Sequence, residues 1–148
     1  MPGSTVFALN AAGSAFERHH ELPTVGAHGV ASVNFASRRL VFFSNDKDEH
    51  TTRQESELFE WVGGRFQSRQ RVPTDGAHAA AFFSSADGKR LFLAVANLGD
   101  RQTDSYRRYS HVYSVDPAAE PPMKLQIRLS TRGATSTTSA LRRCPSTT

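Results

Sequence analysis

The sequence predicts an all-β protein, a partial β-propeller of about two four-stranded antiparallel units followed by a disordered C-terminal tail. Three observations predict it. A repeat runs along the chain at a spacing near 50 residues. Each copy carries short apolar runs bounded by turn residues. No stretch of the body sustains the three-and-four apolar spacing of an amphipathic helix. Four strands per copy at a period of about 40 to 50 residues is the arithmetic of a propeller blade.

The repeat is read directly. Leu22-Pro23-Thr24 returns as Val72-Pro73-Thr74, Gly26-Ala27-His28 as Gly76-Ala77-His78, and Phe16 as Phe66, each at an offset of 50. Arg39-Leu40 returns as Arg90-Leu91 at 51, and Leu58-Phe59 as Val112-Tyr113 at 54. Val6-Phe7 stands 52 residues before Leu58-Phe59. The drift is assigned to loops, which tolerate insertion.

Strands follow from local chemistry. Glu57 to Trp61, Gly63-Gly64 and Arg65 to Arg71 read as a hairpin, with the glycines supplying the positive φ of a tight turn. Ala77 to Phe83 and Arg90 to Asn97 flank a Ser-Ser-Ala-Asp-Gly turn. The run Leu91 to Val95 is continuously apolar, as in a strand buried on both faces. The preceding copy gives Ala27 to Phe35 and Arg38 to Ser44. These readings divide the chain into a first unit at 1–56, a second unit with the opening strand of the next at 57–117, and a tail at 118–148. Ala118 to Pro122 breaks strand structure, and from Ser130 the tail is Ser, Thr, Arg and Ala without an aromatic. Such a segment buries too little apolar area to offset its ordering entropy.

Composition narrows the function classes. The net charge of +4 lies wholly in the tail, because Met1 to Pro117 holds 13 basic and 13 acidic residues. The folded part therefore has no electrostatic bias toward nucleic acid. No apolar run reaches the roughly 20 residues of a spanning helix, so membrane insertion is not expected. Met1 to Asn10 carries no signal-peptide pattern. The one cysteine, Cys144, rules out a disulfide within the chain.

The repeat resembles the EAR (epilepsy-associated, or EPTP) repeat. That pattern places an aromatic after a strand pair, then a Gly-Ala-His-like turn, a strand ending in an aromatic, a Leu-Ala-Val-Ala-Asn strand, a variable loop and a Val-Tyr or Phe-x-Trp strand. The matching residues are Phe66, Gly76-Ala77-His78, Phe82-Phe83, Leu93 to Asn97 and His111-Val112-Tyr113, with Leu58 to Trp61 as the earlier last element. The first copy departs, with Val41-Phe42-Phe43-Ser44-Asn45 in place of the alanine-bearing run. The resemblance implies secreted or cell-surface protein–protein interaction, linked to receptor signalling of the Notch type and to sensory or epithelial development. It also implies more blades than two. The chain is expected to belong to a longer protein or to self-associate, since a blade buries its faces against its neighbours.

Two long polar loops, Asn45 to Ser56 and Leu98 to Tyr109, are the expected partner-binding elements, because rigid scaffolds place recognition on loops. The residues singled out are Asp46, Asp48, Glu49, Arg101, Tyr106 and Tyr109, with the tyrosines as aromatic anchors. The acidic loop could hold calcium, although it lacks EF-hand spacing and contains Lys47. No cofactor is otherwise expected. His28 and His78 could serve a metal-dependent enzyme, but recurrence in each copy favours a structural role, since catalysis needs one site. His19-His20 lacks partner ligands in sequence. No nucleophile elbow, phosphate loop or dinucleotide fingerprint occurs, so the chain is not expected to be an enzyme. Arg38-Arg39, Arg69 to Arg71 and Arg107-Arg108-Tyr109 sit among acids and read as solvated faces. A polyanion binder acting through the basic tail is the remaining alternative.

Overall fold

The computed structural model describes residues 3–99 and 107–132. Among these the chain is strands and turns without a helix. A two-stranded sheet pairs β1 (Ser4–Leu9) with β2 (Phe16–Leu22). The first four-stranded sheet holds β3 (Ala27–Phe35), β4 (Arg38–Asn45), β5 (Glu55–Val62) and β6 (Arg65–Pro73) in sequence order. The second holds β7 (Ala77–Ser84), β8 (Leu91–Asn97), β9 (Arg107–Val115) and β10 (Met123–Arg132), also in sequence order. All pairings are antiparallel. Among the described residues the sheets form no closed barrel or ring.

The all-β expectation holds, and three details change. First, the segment expected to be disordered from Ala118 begins as structure. Met123 to Arg132 is β10, paired along its length from Met123↔Val115 to Arg132↔Arg107. The prolines at 121 and 122 precede this strand and do not interrupt it, and Leu125, Ile127 and Leu129 recur at the two-residue period of a strand. The repeat itself runs on: Val72-Pro73-Thr74 and Gly76-Ala77 return 57 residues later as Leu129-Ser130-Thr131 and Gly133-Ala134. Residues 133–148 lie outside the described ones.

Second, the two four-stranded sheets span 27–73 and 77–132. Each sequence unit joins the last two strands of one sheet to the first two of the next. Third, the offset of 51 between β4 and β8 is one residue short. Ala27↔Asn45 and Ala77↔Asn97 fix it at 52. The β7–β8 turn is two residues longer than the Ala36-Ser37 turn, so Leu40 corresponds to Phe92 and not to Leu91. A slip of one residue would exchange the two faces of the strand.

The corrected register explains the packing. Each sheet has a leading face toward the N-terminal neighbour and a trailing face toward the next sheet. On the trailing face of the first sheet, Leu40, Phe42, Leu58 and Val72 pack against Leu91, Leu93, Val95, Tyr113, Val115 and Met123 on the leading face of the second. On its own leading face, Val41 and Phe59, flanked by Phe43 and Phe66, meet Leu22 and Val6 of the two-stranded sheet. Phe42 and Leu58 are wholly buried. Burial of each such side chain contributes about 1.5–3 kcal/mol.

Polar groups close the same joints. The Glu60 carboxylate is buried and takes ion pairs from Arg38 and Arg69. Arg69 also reaches the Pro117 and Ala119 carbonyls at 3.4 and 3.5 Å, across to the β9–β10 connection. Met123 N–H donates to Gln70 Oε1 at 2.7 Å. At the equivalent place in the preceding joint, Phe66 N–H donates to His20 Nε2 at 3.2 Å. His20 and Gln70 share one position, opposite Val6 and Leu58, beside a bulge in each hairpin.

Because His20 Nε2 accepts, this ring is neutral. Its pKa is lowered from the ordinary 6.5, first by burial and then by His19 and Arg65. His111 is lowered likewise, by burial and then Arg128. Both bind protons more readily in the unfolded chain. Their contribution is therefore complete above pH 6.5 and declines as pH falls through the lowered folded values. Urea midpoints are expected to fall on acidification from neutral pH. His20→Gln, which copies Gln70, keeps the acceptor and should flatten part of that decline; an unchanged slope would remove His20 from the joint.

The β3–β4 turn holds Ala36 and Ser37 at φ of 49° and 62°. Left-handed backbone costs an ordinary L-residue roughly 1–2 kcal/mol. Replacing both, Ala36→Asn with Ser37→Gly, supplies the residues this two-residue hairpin turn prefers. A gain of about 1 kcal/mol in unfolding free energy is expected by denaturant titration.

Candidate functional site

Side-chain chemistry gathers at the end of the two four-stranded sheets where β3 and β7 begin. These strands start with Ala-His, and each histidine sits in a bulge. The pairing steps from Ala27↔Asn45 to Gly29↔Ser44 and from Ala77↔Asn97 to Ala79↔Ala96, leaving His28 and His78 unopposed. A bulge redirects the extra side chain, here out of the ladder. Because β3 lies beside β7, the two rings stack with centroids 3.7 Å apart and planes inclined by 29°. His28 Nδ1 donates to the His78 carbonyl oxygen at 3.1 Å. A Cβ on Gly29 would stand 2.9 Å from that same oxygen, so glycine is what lets β3 approach β7 here.

Behind the histidines, glycine and asparagine fix the loops. Gly26 has φ of 56°, and a Cβ there would fall 1.8 Å from the Lys47 carbonyl oxygen. Asp46 N–H donates to Gly26 O at 2.9 Å, and Leu98 N–H to Gly76 O at 2.8 Å. The buried Asn45 and Asn97 end β4 and β8 in the same way. Their backbone N–H groups donate to Ser56 and Ser110 hydroxyls at 3.0 and 3.3 Å. Their side-chain amides donate to the Glu55 and Tyr109 carbonyls at 2.6 and 2.8 Å. Thr52 Oγ1 donates to Asp75 Oδ1 at 2.7 Å, joining the β4–β5 connection to the entry of β7.

These elements surround a cleft of about 600 Å³. His28 and His78 form one wall, Leu98 and Gly99 another, and residues 46–52 the rim. Among the described lining residues, Asp46, Asp48 and Glu49 outnumber the one lysine, Lys47, so this stretch is acidic.

The structure thus brings three of the expected partner-binding residues, Asp46, Asp48 and Glu49, to one place, together with both recurring histidines. Asp48 has a prior commitment. Its Oδ1 accepts from His50 and Thr51 N–H, each at 2.8 Å, and holds its own turn. Those two bonds, His50 first, and then Gln54 keep its carboxyl below the usual carboxylate range. Tyr109 is exposed on β9, opposite Ser130, and does not line the cleft. Arg101 and Tyr106 lie outside the described residues.

Other sequence features resolve into structure. Arg38 and Arg69 serve Glu60, and Arg71 Nε lies 3.2 Å from buried Glu57, so these cations belong to ion pairs. His19 and His20 contact each other and Trp61. Among the described residues no group of three or more His, Cys, Asp or Glu is arranged to hold a metal ion. The Asn–Ser forks escaped the sequence reading. Their signal was present, since Asn45 and Asn97 recur at 52 and Ser56 and Ser110 at 54.

Comparison with models of known protein families finds no match, and comparison with curated proteins finds none either.

The glycine anchor can be separated from mere backbone freedom. Gly26 and Gly88 both have positive φ, 56° and 68°, but a Cβ at Gly88 meets nothing within 4 Å. Gly26→Ala should destabilise the protein clearly more than Gly88→Ala, because only the former adds a backbone collision to the shared cost of about 1–2 kcal/mol. Equal losses in thermal unfolding would dissolve the anchor.

Proposed function

We propose that the chain is a protein-binding module built of EAR-like repeats, a piece of a β-propeller that works at the cell surface or after secretion. Its two four-stranded sheets are consecutive blades, with β3 and β7 as their inner strands. The loop-bearing end, where the β4–β5 connection meets the two Gly-Ala-His turns, recognises the partner. The observation that carries this reading is the cleft there, walled by the stacked strands and bordered by the acidic loop 46–52. Binding sites favour such concave, pre-formed places, and loops on a rigid scaffold set specificity. The rim selects a partner that offers a basic segment, since electrostatic complementarity governs encounter and register.

The two histidines act in this reading as a joint between blades. Each occupies the same bulge, and the pair consumes its chemistry in stacking and in the His28–His78 backbone bond. Tyr109, exposed on the strand that follows the second loop, adds an aromatic contact at the margin.

Screening the immobilised chain against a panel of secreted proteins and cell-surface ectodomains tests the proposal. Saturable, salt-sensitive binding to a member with a basic surface is expected. Glu49→Lys with Asp46→Asn should weaken it by at least about tenfold, the equivalent of 1.4 kcal/mol, while the strand signature in circular dichroism stays. Undiminished capture by the variant, or no capture by the native chain, overturns the assignment.

A further inference from the structure

Among the described residues two apolar faces of the stack stay uncovered, and the internal joints show how such faces are covered. In the joint between the two-stranded sheet and the first four-stranded sheet, Val6 and Leu22 of a trailing face meet Phe59 and Phe66 of a leading face. The strand pairings map these residues along the repeat. Val6↔His20, Leu58↔Gln70 and Val112↔Ile127 are one position, and Ser4↔Leu22, Ser56↔Val72 and Ser110↔Leu129 are the next. On the opposite face, Phe7↔Arg18 corresponds to Phe59↔Ser68, and Leu9↔Phe16 to Trp61↔Phe66. The N-terminal sheet therefore ends in a leading face of Phe7, Leu9 and Phe16. The C-terminal sheet ends in a trailing face with exposed Ile127 and Leu129 on its outermost strand, beside Val112, which is already buried.

Several equivalent positions differ sharply in exposure between the inside of the stack and its ends. Phe59 is 1% exposed and its equivalent Phe7 56%, while Phe16 reaches 73%. Val72 is 4% exposed and its equivalent Leu129 41%. Large apolar side chains gathered on one face mark an interaction surface. The inner part of the trailing face is already covered in part, since Phe83 stacks on Phe92 and the Arg90 guanidinium lies 5.9 Å from the Phe92 ring centre. The uncovered remainder is the outermost strand, β10, at Ile127 and Leu129. A two-stranded sheet such as β1–β2 can cover so narrow a strip, because in this chain β1–β2 packs on the first four-stranded sheet as a pair alone.

We propose that the occupant of these faces is a second copy of this chain, docked head to tail. The Ile127–Leu129 face of one copy covers Phe7, Leu9 and Phe16 of the next, repeating the Leu22-to-Phe66 contact a third time. The two patches differ, so the contact is heterologous, and it grows into a ring or an open array depending on the rotation per step. This interface is independent of the acidic cleft and of its partner.

Sedimentation velocity on the full chain across a concentration series tests it, with two variants that each disable one face. Phe16→Glu removes the leading face and Leu129→Glu the trailing face; both sites are exposed, and circular dichroism checks that each variant folds. The native chain should gain mass with concentration. Each variant alone should remain monomeric, and a mixture of the two should give a 1:1 complex that grows no further, since each supplies the face the other lacks. Where a charge disturbs the sheet, Phe7→Ser and Ile127→Ser give the same pair of tests. A native chain that stays monomeric at high micromolar concentration overturns the proposal and leaves the faces to a different polypeptide. A variant that self-associates as the native chain does, or a mixture that forms no complex, also overturns it.

Discussion

An antiparallel sheet with apolar residues on both faces is unstable in water until something lies against each of them, and this requirement organises the whole chain. Leu40, Phe42 and Leu58 point one way from the first four-stranded sheet, while Val41 and Phe59 point the other. Neither set can be buried by its own sheet. The core is consequently made of joints between sheets. The carboxylates follow the same logic. Glu60 is buried at the trailing face, and Arg38 with Arg69 offsets the desolvation of its charge. Removing one partner of a buried pair costs about 3–5 kcal/mol. Arg69 further spans to the carbonyls of Pro117 and Ala119. The joint thus has an apolar centre and a polar margin that fixes how the sheets are set against each other.

That setting is what gives the acidic cleft its walls. Once the joint aligns β3 with β7, their first residues fall side by side, and the bulges turn His28 and His78 toward each other. The close approach depends on Gly29, where a side chain would strike the His78 carbonyl. Each sheet supplies one ring of the stacked pair, so the recurrence of the histidine matches the recurrence of the bulge. The rim has a different character. Its turn is held by Asp48 and by Asp46 N–H on Gly26, leaving Glu49 and Lys47 on the rim. The cleft thus sets two packed strands beside a loop pinned at a few points.

Much of this was legible in the sequence, and the remainder was hidden for identifiable reasons. Gly63-Gly64 announced the β5–β6 turn, and both glycines do have positive φ. Leu40 to Phe43 is a strand buried on both faces, as a continuous apolar run suggests, whereas Leu91 to Val95 is buried on the face toward the first sheet and only half-buried on the other. The Ala36-Ser37 turn carries no glycine or asparagine to reveal its left-handed backbone. The register of β8 was misread because Arg39-Leu40 and Arg90-Leu91 look alike, whereas pairing is fixed by Asn45 and Asn97 at the other end. In β10 the repeat survives as Leu-Ser-Thr, with serine in place of the proline that made the earlier copies conspicuous. Composition pointed to a disordered tail there, and it failed because strand pairing with β9 needs only alternation and an available edge. For the candidate site, the acidic loop and the histidines were visible separately. Their convergence was not, since it depends on two sheets lying against each other.

The latch positions show how one joint can differ in kind from the next. His20 and Gln70 occupy the same place in successive hairpins, and each accepts a hydrogen bond from the backbone of the sheet that follows. Gln70 also donates back, to the Met123 carbonyl at 3.2 Å. The third occupant of that place is Ile127, which has no polar atom to offer. Internal joints therefore combine apolar burial, which supplies most of the free energy, with a directional bond that specifies one setting. At the terminal face this directional bond is missing, and an isoleucine takes the place of the latch residue. A surface of that kind gains from being covered while leaving the angle of approach to shape alone. The sequence difference between Gln70 and Ile127 thus separates a position that carries a directional bond from one that offers apolar surface alone.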